Sequence, residues 1–141
     1  MEHGIAFGRL DPGGGERFQP LRRQLGVTSF GINLITLQPG QRGRIHAHER
    51  QEEVFLVLEG ELALTLVDGE HRLGVGELVR VAPGVRRQLV NKRPQRLVLL
   101  ALGAAGEHLG RDGIAWTAWD ATHSAPPQET PLPDDVPVER G

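Results

Sequence analysis

The chain has 141 residues, a formal net charge of −2 and no cysteine. The length fits one domain that buries roughly two thirds of its unfolded surface; the missing cysteine excludes disulfides, iron–sulfur clusters and thiolate zinc sites, leaving His, Asp, Glu and water as metal ligands. The basic residues, all Arg except Lys92, are dispersed among acids, which argues against nucleic acid as a partner. The longest apolar run, Leu97 to Ala105 broken by Gly103, is far short of the roughly 20 residues of a membrane helix, so no membrane partner is expected. The N-terminus has neither a basic n-region nor an apolar h-region, which makes cytoplasm the expected location.

Residues 1–27 read as an N-terminal extension. Its apolar run Ile5 to Leu10 predicts an edge strand, broken by Asp11-Pro12-Gly13-Gly14-Gly15, and residues 16–26 hold a helical turn at best. Ser29 to Leu37 alternates and predicts a strand closed by the Pro39-Gly40 turn. Val54 to Leu58 and Glu61 to Val67 are strands divided by Glu59-Gly60, and Asp68-Gly69 signals a hairpin into Glu70 to Leu73. Leu78 to Ala82, Arg86 to Asn91 and Arg96 to Leu102 follow as further short strands separated by Gly and Pro turns. Short strands at nearly regular spacing, without helical periodicity, predict an all-β antiparallel sandwich or barrel.

From Gly103 the character changes. Trp116 and Trp119 are too large to leave exposed cheaply and are expected to pack on the barrel or on a second subunit. Residues 124–141 hold five of the ten prolines, so the tail is expected to be extended, with disorder from about residue 124 left open.

The chemistry concentrates in Gly40 to Gly60. His46 and His48 are one residue apart, so on a strand both imidazoles project from one face, about 6 to 7 Å apart along the backbone. Glu53 follows a polar turn, at the head of the returning strand, where its carboxylate faces the histidines. Two histidines and one carboxylate with open positions suit non-haem iron, and zinc, manganese, nickel and copper share these ligand types. The bland reading of the same residues is a surface histidine pair beside a solvated charge cluster of Glu49, Glu52 and Glu53.

The stretch resembles the first motif of the cupin superfamily, Gly-x5-His-x-His-x4-Glu-x6-Gly, with Gly40, His46, His48, Glu53 and Gly60 in every fixed position. The second motif is matched by Gly76, Pro83, Gly84 and Asn91, but Arg87 stands where the family usually has a third histidine. The resemblance covers roughly residues 28–103 and is to small single-domain cupins of the conserved-barrel type. It implies an antiparallel double-stranded β-barrel, a cupin-like jelly roll with a pocket at one end. It also implies a homodimer, a small-molecule ligand and one divalent metal (Fe, Mn, Zn or Ni) on His46, His48 and Glu53. Residues 104–141 then form a C-terminal extension.

Arg87 cannot be a ligand, because a guanidinium stays protonated and opposes an approaching cation. Three readings stand open. A metal sits on His46, His48 and Glu53 while Arg87 binds an anionic substrate or turns aside; Arg87 pairs with Glu53 and replaces the metal; or Arg87 points to solvent. Arg42 and Arg44 share the face parity of the histidines and are placed to add positive potential at the pocket mouth, or to act as plain surface charges. The functional expectation is a metal-dependent cupin enzyme of dioxygenase, isomerase or decarboxylase type acting on a small anionic organic molecule. The alternative is a non-catalytic ligand-binding module in which the Arg87–Glu53 pair takes the metal's place. With no Tyr or Cys and no nucleophile pattern, either metal chemistry or no chemistry is expected.

Overall fold

The computed structural model describes residues 4–14, 16–103 and 113–140. His3, His108 and the start of the C-terminal extension at 104–112 lie outside the described residues. The elements in chain order are β1 (Phe18–Gln19), α1 (Leu21–Leu25), β2 (Gly31–Leu37), β3 (Ile45–His48), β4 (Glu53–Glu59), β5 (Leu62–Leu66), β6 (Gly69–Leu73), β7 (Leu78–Val81), β8 (Gln88–Val90), β9 (Leu97–Gly103) and β10 (Gly113–Trp116). A 3₁₀ turn spans Pro127–Glu129. The strand ladders are antiparallel, as the short alternating runs predict.

One layer is a sheet in the order β1-β2-β9-β4-β7. The other is assembled from β10-β3 and β6-β5-β8, which an isolated bridge between His46 and Arg87 joins. Between the layers lies the main core: Ile35 and Leu37 of β2, Phe55 and Val57 of β4, Leu62 and Leu64 of β5, with Leu97, Leu99 and Ala101 of β9 among its members. These positions recur every second residue, as a pleated strand with one buried face requires. The outer face of the first sheet is closed by α1, whose Leu21 packs on Leu34 and Val98.

Gly60 is where the backbone needs glycine: φ is +81°, and a Cβ there would lie 2.3 Å from the Arg96 carbonyl oxygen. The next turn of interest is organised by Asn91, which is fully buried. Its side-chain amide donates to the Leu37 and Gln95 carbonyls, and its side-chain oxygen accepts from Arg93 N–H. The motif asparagine is therefore a structural pin.

Two expectations are revised or made specific by the flanks. Ile5 to Leu10 forms no strand, and Ile5 and Phe7 are exposed; the edge position is filled by β1, paired to β2. The Gln19 side chain binds Arg9 O and Asp11 N, so this segment is tied to β1 through one amide instead of a backbone ladder. Trp116 packs on the barrel, buried with Ile45 and Ala47 and bordered by Trp119. The tail runs back across the barrel: Thr130 is buried, Val136 N–H donates to Gly40 O, and Glu139 N–H donates to Lys92 O. The Glu139 carboxylate takes both terminal nitrogens of Arg72, at 2.9 and 2.7 Å.

Candidate metal centre

β3 alternates strictly. Ile45 and Ala47 are buried against Trp116, which turns His46 and His48 to the opposite face, toward the barrel interior. Their rings stand edge to face with centroids 5.5 Å apart. His46 Nδ1 lies 3.2 Å from Arg44 O. A carbonyl only accepts, so this bond assigns the proton to Nδ1 and leaves the Nε2 lone pair free to ligate.

Glu53 opens β4, paired on one side with Val81 and on the other with Gly103. Its Oε1 is 3.9 Å from His46 Nε2 and 3.6 Å from His48 Nε2. The three ligand atoms all lie within 4.8 Å of one another.

Arg87 is placed by its backbone. It exchanges both hydrogen bonds with His46, N–H to O at 2.9 Å and O from N–H at 3.0 Å, so the two residues are directly opposite and share a face. The preceding Pro83-Gly84 turn is held on His48, whose carbonyl accepts from Gly84 N–H. Arg87 is 0% exposed, which removes the solvent-facing reading. Nη1 donates to Val85 O at 2.8 Å and Nη2 to Glu53 Oε1 at 2.7 Å, while Nε has no hydrogen-bond partner among the described residues. The guanidinium is therefore engaged with Glu53, behind the cavity wall.

Burial by itself pushes the Glu53 carboxyl up, but His46, the charge of His48 and the Arg87 guanidinium together outweigh it and bring the group down to about 2. Glu53 is thus a carboxylate at neutral pH, as a ligand must be and as a general base of useful strength is not.

The site opens on a cavity of about 230 Å³. Its wall includes Ile35, Leu37, Phe55, Leu89 and Ala101 at the core side, with Arg17, Asn33 and Arg44 as further polar members. Arg44 lines both this cavity and a separate pocket beside Trp116, whereas Arg42 lines the separate pocket, not this cavity, and bonds Asp134 O. Gln88 turns away from the centre to Gly43 O, His71 pairs with Asp68 in the β5–β6 hairpin, and His123 is exposed. Arg17 and Pro127 line the cavity without a sequence signal: β1 is two residues long, too short to show alternation, and Pro127 sits in a tail whose composition speaks only of extension.

The cupin-domain family model matches residues 33–103, half of the chain. The chain belongs to the cupin family. It is 34% identical over 79 residues to the β-D-galactosidase Rv1717 of Mycobacterium tuberculosis, a match covering 55% of this chain and 67% of the relative. Among solved structures it is similar to a protein of Acidithiobacillus ferrooxidans provisionally called a sugar phosphate isomerase, with 26% identity and a TM-score of 0.58. That match covers 64% of this chain and only 58% of the other. It is also similar to a cupin-superfamily sugar phosphate isomerase of Silicibacter pomeroyi, with 23% identity, a TM-score of 0.61, and 92% and 93% of the two chains covered. The jelly-roll fold of the cupin barrel is common to these structures.

The donor set fits a divalent ion. Ligand atoms about 2.1 Å from an ion stand about 3 to 3.5 Å apart, so the 3.6 and 3.9 Å edges need only a small closure. Arg87 occupies one lone pair of a carboxylate that offers about four, so the pair does not exhaust Glu53.

Proposed function

We propose that this cupin binds one divalent metal through His46, His48 and Glu53 and acts as an enzyme on a small organic anion. The observation that carries the reading is the convergence of three ligand atoms within 4.8 Å at the wall of an internal cavity. Metal-ligating carboxylates are commonly held by an outer hydrogen bond, and Arg87 supplies it here, fixing Glu53 in ionised form and in place. A bound ion would supply Lewis-acid polarisation of a substrate oxygen. Around it, His46 is oriented by Arg44 O, and Ile35, Leu37, Phe55 and Leu89 make much of the wall apolar.

Of the two similar structures called sugar phosphate isomerases, the Acidithiobacillus ferrooxidans protein, at 26% identity, makes a phosphorylated sugar a member of the substrate class. The galactosidase activity of another is not carried over: two-carboxylate glycoside hydrolysis needs a pair of acids, and among the described residues Glu53 is the one acid on the cavity wall.

A second reading is favoured by the 2.7 Å Arg87–Glu53 contact, in which the guanidinium replaces the metal and the barrel is a non-catalytic binding module. Titration of chelator-stripped protein with Zn²⁺, Mn²⁺, Ni²⁺ and anaerobic Fe²⁺ separates the two. The enzyme reading expects uptake of one ion per chain for at least one metal, lost in His46→Ala; no uptake of any of the four would overturn it.

A further inference from the structure

With Arg87 committed to Glu53, the cavity needs another source of positive charge if its ligand is an anion, and the wall holds two. Arg17 donates through Nη1 to Arg42 O at 3.0 Å, and Arg44 donates through Nε to Thr130 O at 2.6 Å. Each guanidinium is thereby held on a backbone carbonyl while its remaining N–H groups have no protein acceptor among the described residues. Neither has a carboxylate within ion-pair distance among those residues, although most other arginines near the barrel do: Arg72, Arg80, Arg87, Arg93 and Arg96 are all paired.

The one wall acid, Glu53, is offset by Arg87, so the field in the cavity is positive from Arg17 and Arg44, and an ion at the histidines adds to it. Fixed guanidiniums with spare parallel donors suit a carboxylate or a phosphate. The apolar part of the wall, with Ile35, Leu37 and Leu89, suits an uncharged body.

We propose that Arg17 and Arg44 form the anion-binding end of the cavity, holding the carboxylate or phosphate of a small organic ligand whose body lies toward His46, His48 and Glu53. The proposal rests on the cavity being the ligand site, as in the reading above, and it moves anion recognition from Arg87 to residues at the rim. Arg17 comes from the segment before the residues that match the family model, so its share of this recognition lies outside the cupin motif, while Arg44 lies between the motif's Gly40 and His46.

The test uses the full-length, chelator-treated protein and three probes of similar size: 4-fluorobenzoate, phenyl phosphate and the neutral 4-fluorobenzamide, titrated by ligand-observed NMR. At least one anion is expected to bind about tenfold more tightly than the amide. Arg17→Gln and Arg44→Gln should each weaken that anion about tenfold and leave the amide unchanged. Arg17→Lys and Arg44→Lys keep the charge and should recover part of the loss, and Arg42→Gln, which removes a similar strap contact outside this cavity, should change nothing. The preferred anion identifies the ligand as a carboxylate or a phosphate ester. Equal binding of all three probes by the wild type, or an undiminished anion preference in both Gln variants with unfolding midpoints like the wild type, would overturn the proposal. Because no metal is present, a chain that takes up no ion yet passes this test loses only the metal reading, and one that takes up an ion yet fails it loses only the rim site.

Discussion

Along the inner face of β9 the side chains shrink from Leu97 and Leu99 to Ala101 and Gly103, and Gly103 is the partner of Glu53. On the neighbouring β4 the same face changes from apolar Val57 and Phe55 to the acid Glu53. The interior therefore has two ends built on one pair of strands. At one, leucines from β5 and β9 fill the space between the layers; at the other, small residues leave a cavity of about 230 Å³ edged by His46, His48 and Glu53. The filled end is held by burial, worth about 1.5 to 3 kcal/mol per large side chain. The open end gains little from packing and must satisfy a buried carboxylate, which Arg87 does. The contrast assigns stability chiefly to the first end and ligand chemistry to the second.

The largest effect is expected where the filled end is opened. Leu99→Ala should cost about 4 kcal/mol in denaturant unfolding, with ion uptake per folded chain unchanged. Arg87→Met tests the other end, because it leaves a buried carboxylate without its cation; metal-free protein should lose about 3 kcal/mol, and the double variant Glu53→Gln/Arg87→Met should recover much of it. The same pair predicts an acid limb. The Glu53 carboxyl is lowered from 4.5 to about 2 on folding, so its contribution is complete above pH 4.5 and is lost as the pH falls through about 2. In metal-free protein that contribution is of order 3 kcal/mol, and unfolding followed from pH 5 to pH 2 should be less steep in Glu53→Gln. The smallest stability change belongs to Ala101→Leu. Filling the open end should alter stability by about 1 kcal/mol while abolishing binding of the probes above.

Much of this contrast was written in local patterns. The runs holding Phe55 and Val57, Leu62 and Leu64, and Leu97 and Leu99 were legible as strands, although their apolar neighbours Leu56, Ala63 and Val98 hid which face is the inner one, and the motif spacing puts His46, His48 and Glu53 together because strand period and turn length fix their parity. The partner of Arg87 was open in the sequence because it depends on register: only the reciprocal hydrogen bonds with His46 turn Arg87 inward. Arg17 and Pro127 were not legible, since they reach the cavity by long-range docking of flanking segments with no periodicity. The apolar run from Ile5 misled, because a strand needs a free edge as well as propensity, and β1 already occupies it.

The central claim is that His46, His48 and Glu53 suffice to hold an ion while Arg87 braces the carboxylate from the usual place of another ligand. Metal stoichiometry of the wild type measured beside Arg87→His addresses it most directly. One ion per chain in both proteins is the predicted result; a wild type without stoichiometric metal, beside an Arg87→His variant that gains it, would contradict the claim and make the guanidinium the metal's replacement.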